Sequence, residues 1–344
     1  MIKLFYITTI FMLVSCSFQK DSEVSNYPIV RIQDSNFFNG ISYVAPVVSL
    51  NQNSLIDAVN INSNSVCFMP FAYTKDNSPN LKNNSFWQWY GEKPEGIINC
   101  IDIAQKMNMK IMIKPQIWIG NGSFTGEFKL MDDNDWSLFE KNYLDYILIY
   151  AKICNDKKVD ILCIGTELKC FVNNRVEFWN SLIDSVRKIY SGKLIYAANW
   201  DESLKVPFWN KLDFIGIDAY YPLSKSKTPE VNELMNNWVQ YETKIDSLST
   251  KFNKKIIFTE YGYRSMDNNC DKPWQIEQSP NANNFAQENA YLAIYKTFWK
   301  KKYFAGGFIW KWYDNLEQSD LDIKTDFTPQ NKSVINTIKS FYKN

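Results

Sequence analysis

Histidine is missing altogether from the 344 residues. That excludes a Ser-His-Asp triad, a Cys-His pair and any metal site built on imidazole. Proton transfer near neutral pH must then fall to carboxylates, Lys, Tyr or Cys. Net charge is almost missing too: 38 basic and 37 acidic residues leave a formal +1, with no long run of one sign. Nothing in that balance suits a polyanion, so nucleic acid is not expected as a partner. No C-x-x-C pair occurs among the cysteines. Cys67, Cys100, Cys154, Cys163, Cys170 and Cys270 fall mostly in apolar runs and read as small buried hydrophobes, with room for one disulfide among them. No glycine-rich phosphate loop follows any strand-like run, which disfavours a nucleotide-binding sheet. Neither a metal nor a cofactor is expected, and the chain is expected to be a monomer.

A long apolar run is also absent. The longest candidate, residues 4–14, is interrupted by Thr8 and Thr9 and is too short to cross a bilayer as a stable helix. With Lys3 before it, the run reads as a signal segment. It ends in Leu13-Val14-Ser15-Cys16, which resembles the lipobox of bacterial lipoproteins. The resemblance implies a signal peptide over residues 1–15, acylation of Cys16, a polar tether over 16–36 and a membrane-anchored place in the bacterial cell envelope. A plain secretory signal with an incidental cysteine is the alternative.

Aromatic residues, by contrast, are abundant: 12 Trp, 20 Tyr and 23 Phe, or 16% of the chain. A large core accounts for most of them, yet an indole is also a natural platform for the C–H face of a sugar. Past the tether a short apolar run alternates with a longer amphipathic stretch. The strand candidates are 40–45, 66–73, 110–119, 161–168, 194–200, 214–221, 256–263 and 307–312. They are rich in β-branched and aromatic residues, as strands buried on both faces should be. Helices are expected over 96–107, 136–154, 175–190, 229–252, 286–302 and 333–342. Eight strands alternating with helices and no linker predict a single (β/α)8 TIM barrel over residues 37–344, of the α/β class.

Barrel enzymes carry their chemistry at the C-terminal ends of the strands. Strand four closes as Gly165-Thr166-Glu167-Leu168 and strand seven as Phe258-Thr259-Glu260-Tyr261. A carboxylate directly after a buried strand is costly unless it is paired or used. Either glutamate alone could be a structural cap, but two on strands facing across a barrel mouth suit paired carboxylate chemistry. Glycoside cleavage needs one carboxylic acid to protonate the leaving oxygen. In its retaining form it needs a second carboxylate about 5–5.5 Å away as nucleophile. Lys114, Gln116, Trp118, Trp200, Asp218, Arg264 and Lys311 also stand near strand ends, with Asp218 and Arg264 equally readable as a supporting ion pair. Phe86-Trp87-Gln88-Trp89-Tyr90 forms a loop that reads either as sugar platforms or as packing on the rim.

Six further segments sharpen this pattern. They are Ile164-Gly165-Thr166-Glu167-Leu168, Tyr196-Ala197-Ala198-Asn199-Trp200 and the stretch from Leu212 to Leu223. With them go Phe258 to Arg264, Gly307-Phe308-Ile309-Trp310-Lys311-Trp312 and Phe327-Thr328-Pro329-Gln330-Asn331-Lys332. In this order they resemble glycoside hydrolase family 113, clan A barrel enzymes that are mostly β-1,4-mannanases. The resemblance implies Glu167 as acid/base, Glu260 as nucleophile, Tyr220 as the tyrosine bonded to the nucleophile and Trp310 as the tryptophan under the sugar. Where many clan members carry Asn before the acid/base, this chain has Thr166, a habit of the family, which leaves Asn199 as a candidate for the sugar 2-hydroxyl. Lys114, Trp87, Trp118, Trp200 and Trp312 complete the expected substrate contacts. The implied partner is a β-linked polysaccharide or oligosaccharide. The alternatives are another clan A β-glycanase, an exo-acting β-glycosidase, or an inactive barrel that binds glycan at a surface.

Overall fold

The alternating runs fold as expected, into a closed barrel of parallel strands with helices around it. This computed structural model describes residues 36–275, 281–316 and 323–343, so the leader, Cys16 and nearly all of the tether lie outside the described residues. The strands are β1 (Phe38–Tyr43), β2 (Ser65–Phe68), β3 (Phe71–Thr74), β4 (Lys110–Ile113) and β5 (Gln116–Ile119). They continue with β6 (Ile161–Thr166), β7 (Lys193–Asn199), β8 (Ile215–Asp218), β9 (Ile256–Tyr261) and β10 (Phe304–Trp312). The barrel closes in the order β1-β2-β4-β6-β7-β8-β9-β10 and back to β1.

β3 and β5 are not barrel strands. The expected strands 66–73 and 110–119 each divide in two, at Met69-Pro70 and at Lys114-Pro115. Proline has no N–H to give a barrel ladder, so the chain leaves the barrel there. Beyond the rim the two extensions pair in parallel, from Phe71↔Gln116 to Thr74↔Ile119. Lys114 is thereby left at the very end of a barrel strand.

The helices are α1 (Ile56–Asn60), α2 (Pro94–Lys106), α3 (Asp133–Lys157), α4 (Lys169–Asn174), α5 (Val176–Arg187), α6 (Val231–Phe252), α7 (Asn284–Phe298) and α8 (Val334–Tyr342). Their ends follow local chemistry. Pro94 opens α2, and the Asp132 side chain accepts from the Asn134 and Asp135 N–H groups at the start of α3. Left-handed Lys158 and Asn253 stop α3 and α6. α1 and α4, of five and six residues, are too short for a helical period to mark them in the sequence.

Two apolar layers hold the barrel. Phe38, Cys67, Met69, Met112, Ile161, Cys163, Ile195, Ala197, Ile257, Ala305 and Phe308 fill its interior. The alternate residues of the same strands, such as Ile113, Leu162, Ile164, Tyr196, Ile217 and Phe258, face the helices. The core takes up most of the aromatics, as expected: Trp179, Trp209, Trp238 and a row of tyrosines are fully buried between strands and helices. The six described cysteines are free thiols, all buried except the partly exposed Cys170. None of the helices among the described residues is long and apolar enough to span a membrane.

Candidate active site

The inward-facing rows turn polar at the C-terminal rim. Met112 is followed two residues on by Lys114, Ala197 by Asn199, and Gly216 by Asp218. Lys114 and Asp218 are completely buried. The Lys114 Nζ donates at 3.3 Å to both carboxylate oxygens of Asp218, and also to Oε1 of Glu260. Asp218 accepts a further bond of 2.7 Å from the Thr259 hydroxyl.

Strict alternation along β9 would send Ile257 and Thr259 inward and Glu260 toward the helices. The ladders show why it does not. Ile217 faces Phe258 while Asp218 faces Glu260, and Gly307 faces Phe258 while Ile309 faces Tyr261. Both neighbours register one extra residue in β9, a bulge at Thr259-Glu260. Thr259 and Glu260 therefore both reach the mouth, and Tyr261 returns to the outer core. Gly262 is required just beyond, since a Cβ there would run into the carbonyl oxygen of Trp310.

Glu260 sits in a nest of donors. Besides Lys114, the Tyr220 hydroxyl gives 2.7 Å to Oε2 and the Gln116 amide 3.4 Å to Oε1. Burial lowers and the Asp218 and Glu260 charges raise the Lys114 pKa, and the charges win, so the ammonium stays protonated. Burial, with the Glu260 charge beside it, pushes the Asp218 carboxyl above its ordinary value against the pull of Lys114. Burial and the same two carboxylates keep the Tyr220 hydroxyl protonated and donating.

Glu167 is set up differently. β6 carries its own extra residue, since Cys163 faces Ile195 while Thr166 faces Ala197. Glu167 itself has φ +51°, left-handed, with its N–H on the Ala197 carbonyl at 2.8 Å. Among the described residues none hydrogen-bonds its carboxylate, and the residue as a whole is partly exposed. Desolvation, then the Asp218 and Glu260 charges, push its pKa well above the usual carboxylate range, with Lys114 opposing. The site thus holds one carboxyl surrounded by donors and a second that favours its protonated form.

The remaining expected residues divide. Trp310 is half-buried against the barrel interior, and its peptide bond to Lys311 is cis. Asn199 lies at the end of β7 with Oδ1 unpartnered, as is Oγ1 of Thr166. Trp118, two residues past Gln116, is 51% exposed. Trp87 is half exposed and meets Tyr73 edge-on at 4.6 Å. Trp200 is half-buried and stacks at 5.6 Å on Trp274, which sequence reasoning missed. Trp312 is a correction: at 2% exposure it packs in the outer core, because it falls on the helix-facing side of β10. Asp218 and Arg264 do not pair either, since Asp218 takes Lys114 and Arg264 donates at 2.8 Å to the Thr325 carbonyl. Sequence reasoning also missed Glu202, buried three residues after Asn199 with its charge acting on Glu167, and with no period to reveal it. Among the described residues no cluster of three or more acidic or cysteine side chains is arranged to hold a metal. Between Asp218 and Glu260 the cation is the Lys114 ammonium.

Comparison with known proteins adds the chemical class. The family model described as Glycoside Hydrolase Family 113 matches residues 50–332. No curated protein matches the chain. Among solved structures, a family 113 β-mannanase from Alicyclobacillus acidocaldarius in complex with ManMIm superposes with a TM-score of 0.78 at 18% identity, covering 90% of this chain and 98% of that one. A family 113 β-1,4-mannanase in a complex gives 0.77 at 21% identity, covering 90% and 99%. A β-glucuronidase from Ruminococcus gnavus gives 0.60 at 14% identity, covering 89% of this chain and 50% of that one. At such identities these likenesses are likenesses of fold.

Proposed function

Since the chain belongs to glycoside hydrolase family 113, and is thereby a glycoside hydrolase, we propose that it cleaves β-1,4-linked mannan by double displacement. The observation that carries the mechanism is the contrast between the two glutamates. Glu260 accepts from Lys114, Gln116 and Tyr220, donors that fix both of its oxygens in place. Glu167 is held toward its protonated form by burial and by two neighbouring carboxylates. An ionised carboxylate is a competent nucleophile and a protonated one a competent acid.

In this reading Glu260 attacks the anomeric carbon while Glu167 protonates the departing oxygen. A covalent glycosyl-enzyme forms, and Glu167 then takes a proton from the incoming water. Asn199 receives a substrate hydroxyl on its unpartnered oxygen. Trp310 carries the sugar at the cleavage point. Trp118, beside Tyr73 on which Trp87 packs, and Trp200, with Trp274, stand beyond the strands on either side of β6. Exposed indoles flanking the acid on both sides support a polymeric substrate.

Sugar release from β-mannan, with proton NMR of the first-formed product, tests the proposal. Retained anomeric configuration is expected. Inversion would remove Glu260 from the nucleophile role even if both glutamates proved essential. For location, we infer from Leu13-Val14-Ser15-Cys16 a lipid anchor on Cys16 at the bacterial cell envelope. Cys16→Ser should move the protein from membranes to the soluble fraction, and an unchanged distribution would rule the anchor out.

A further inference from the structure

Glu202 is 2% exposed, carries an acid group, and has no part in the chemistry described so far. Asn199 closes β7, and its carbonyl accepts the N–H groups of Glu202 at 3.0 Å and Ser203 at 3.2 Å. That turn brings Glu202 to Tyr196, whose hydroxyl donates to its Oε1 at 2.9 Å. Tyr196 is fully buried on the outer face of β7, and the same oxygen accepts the Leu168 N–H at 2.8 Å. A phenol has one proton. With that proton committed to Glu202, a lone pair of the oxygen is left facing the Leu168 amide. Leu168 directly follows Glu167, whose φ of +51° is unfavourable for a residue with a side chain. Such a conformation persists where the surroundings over-determine it. Here the Ala197 carbonyl holds one side of it, through the Glu167 N–H, and the Tyr196 oxygen holds the other.

We propose that Glu202 is a positioning residue for the acid/base, acting through Tyr196 and the Leu168 amide to fix the left-handed turn that aims the Glu167 carboxyl. The proposal rests on the acid/base role given to Glu167 above. It also has an electrostatic side. The charged groups acting on Glu167 are Asp218 and Glu260 from across the mouth, Lys114 at the end of the neighbouring β4, and Glu202 from the turn after β7. Around Glu202 stand Tyr196, Asp201 and Asp218, with Lys169 nearby. An ionised Glu202 therefore helps Glu167 keep its proton.

Two substrates separate positioning of the acid from general loosening of the barrel. One is a β-1,4-manno-oligosaccharide, whose leaving group needs protonation. The other is a dinitrophenyl β-glycoside of the same sugar, whose leaving group needs none. Tyr196→Phe should lose about 10–100-fold in kcat/KM on the first, within the range that general acid catalysis supplies, and less than about 3-fold on the second. Glu202→Gln keeps an acceptor for the Tyr196 hydroxyl but removes the charge. It should hold most of its activity while the basic limb of kcat/KM moves to lower pH and the acidic limb stays. Equal losses on both substrates for Tyr196→Phe, or an unmoved basic limb for Glu202→Gln, would overturn the proposal. Should Tyr196→Phe fail to fold, Glu202→Leu, which removes the acceptor and leaves the tyrosine in place, decides by the same comparison of the two substrates. If the parent enzyme turns over neither substrate, it is the mannanase reading that fails, since the positioning test requires parental activity on both.

Discussion

The corner around Glu260 and the corner around Glu167 are built on the same plan and finished in opposite ways. Each glutamate ends a buried strand, and each strand carries one extra residue that re-aims its last side chains. Around Glu260 the side chains converge: an ammonium, an amide and a phenol point at its two oxygens, and Asp218 shares the ammonium. Around Glu167 the bonds go to its backbone and to that of Leu168, and its carboxyl is left to the space where substrate would sit. Fixing a charge takes donors aimed at the carboxylate. Keeping a proton takes burial, neighbouring negative charge and no donors. The difference teaches that two carboxyls of one residue type can be set to different protonation behaviour by what surrounds them.

The largest expected effects come from removing each carboxylate in turn. Glu260→Ala should lower turnover by more than about 10⁴-fold, as removal of a covalent nucleophile does elsewhere. Azide should restore part of it as the inverted glycosyl azide. Glu167→Ala should keep its first step on substrates with a good leaving group, and azide should then give a product of retained configuration. NMR of the two azide products checks the contrast. The same configuration from both variants would break it.

Next comes Lys114→Met, which leaves Asp218 and Glu260 buried without their cation. A broken buried charge network costs about 3–5 kcal/mol, to be read from the shift in denaturation midpoint. Lys114→Met with Asp218→Asn should recover part of that loss, because one of the two unpaired charges is gone. If Lys114→Met were as stable as the parent, the donor nest would be ornamental to folding.

The smallest effect concerns Glu202. Burial raises its carboxyl from 4.5 to about 7, against the opposing Tyr196 hydroxyl. Ionising it therefore costs more in the folded than in the unfolded chain. The parent should lose stability as pH rises from about 4.5 to 7 and level off above, by the linkage of proton binding to folding. Glu202→Gln lacks that slope and should gain about 1–2 kcal/mol on the parent between pH 5 and 7.5, within the roughly 1.4 kcal/mol per pKa unit available. Parallel stability curves for parent and variant would show that Glu202 does not titrate in this window.

Much of the molecule was legible in the chain. The barrel followed from eight apolar runs alternating with amphipathic stretches, since burial on both faces demands such runs. Glu167 and Glu260 stood out because a charge at the end of a buried strand calls for a reason. Lys114, Gln116 and Asp218 were visible as polar residues at strand ends, though nothing in the sequence said that the lysine would bridge the aspartate and Glu260. Trp312 was misplaced because the bulge in β10, between Ile309 and Trp312 against Ile41 and Tyr43, breaks simple alternation. Trp274 and Glu202 lie in loops, where no period marks which side chains turn inward.

By itself, then, the sequence determined the fold class, the strand ends that carry chemistry and the exclusion of histidine chemistry. Hydrophobic patterning and residue type are local, and they are written in order along the chain. Only the tertiary structure decided which way the glutamates face and what surrounds them. The bulge at Thr259-Glu260 is a matter of register with β8 and β10, and the Lys114–Asp218–Glu260 network joins residues 104 and 146 positions apart. Register and long-range contact arise when separate strands are laid side by side, which no single stretch of sequence encodes.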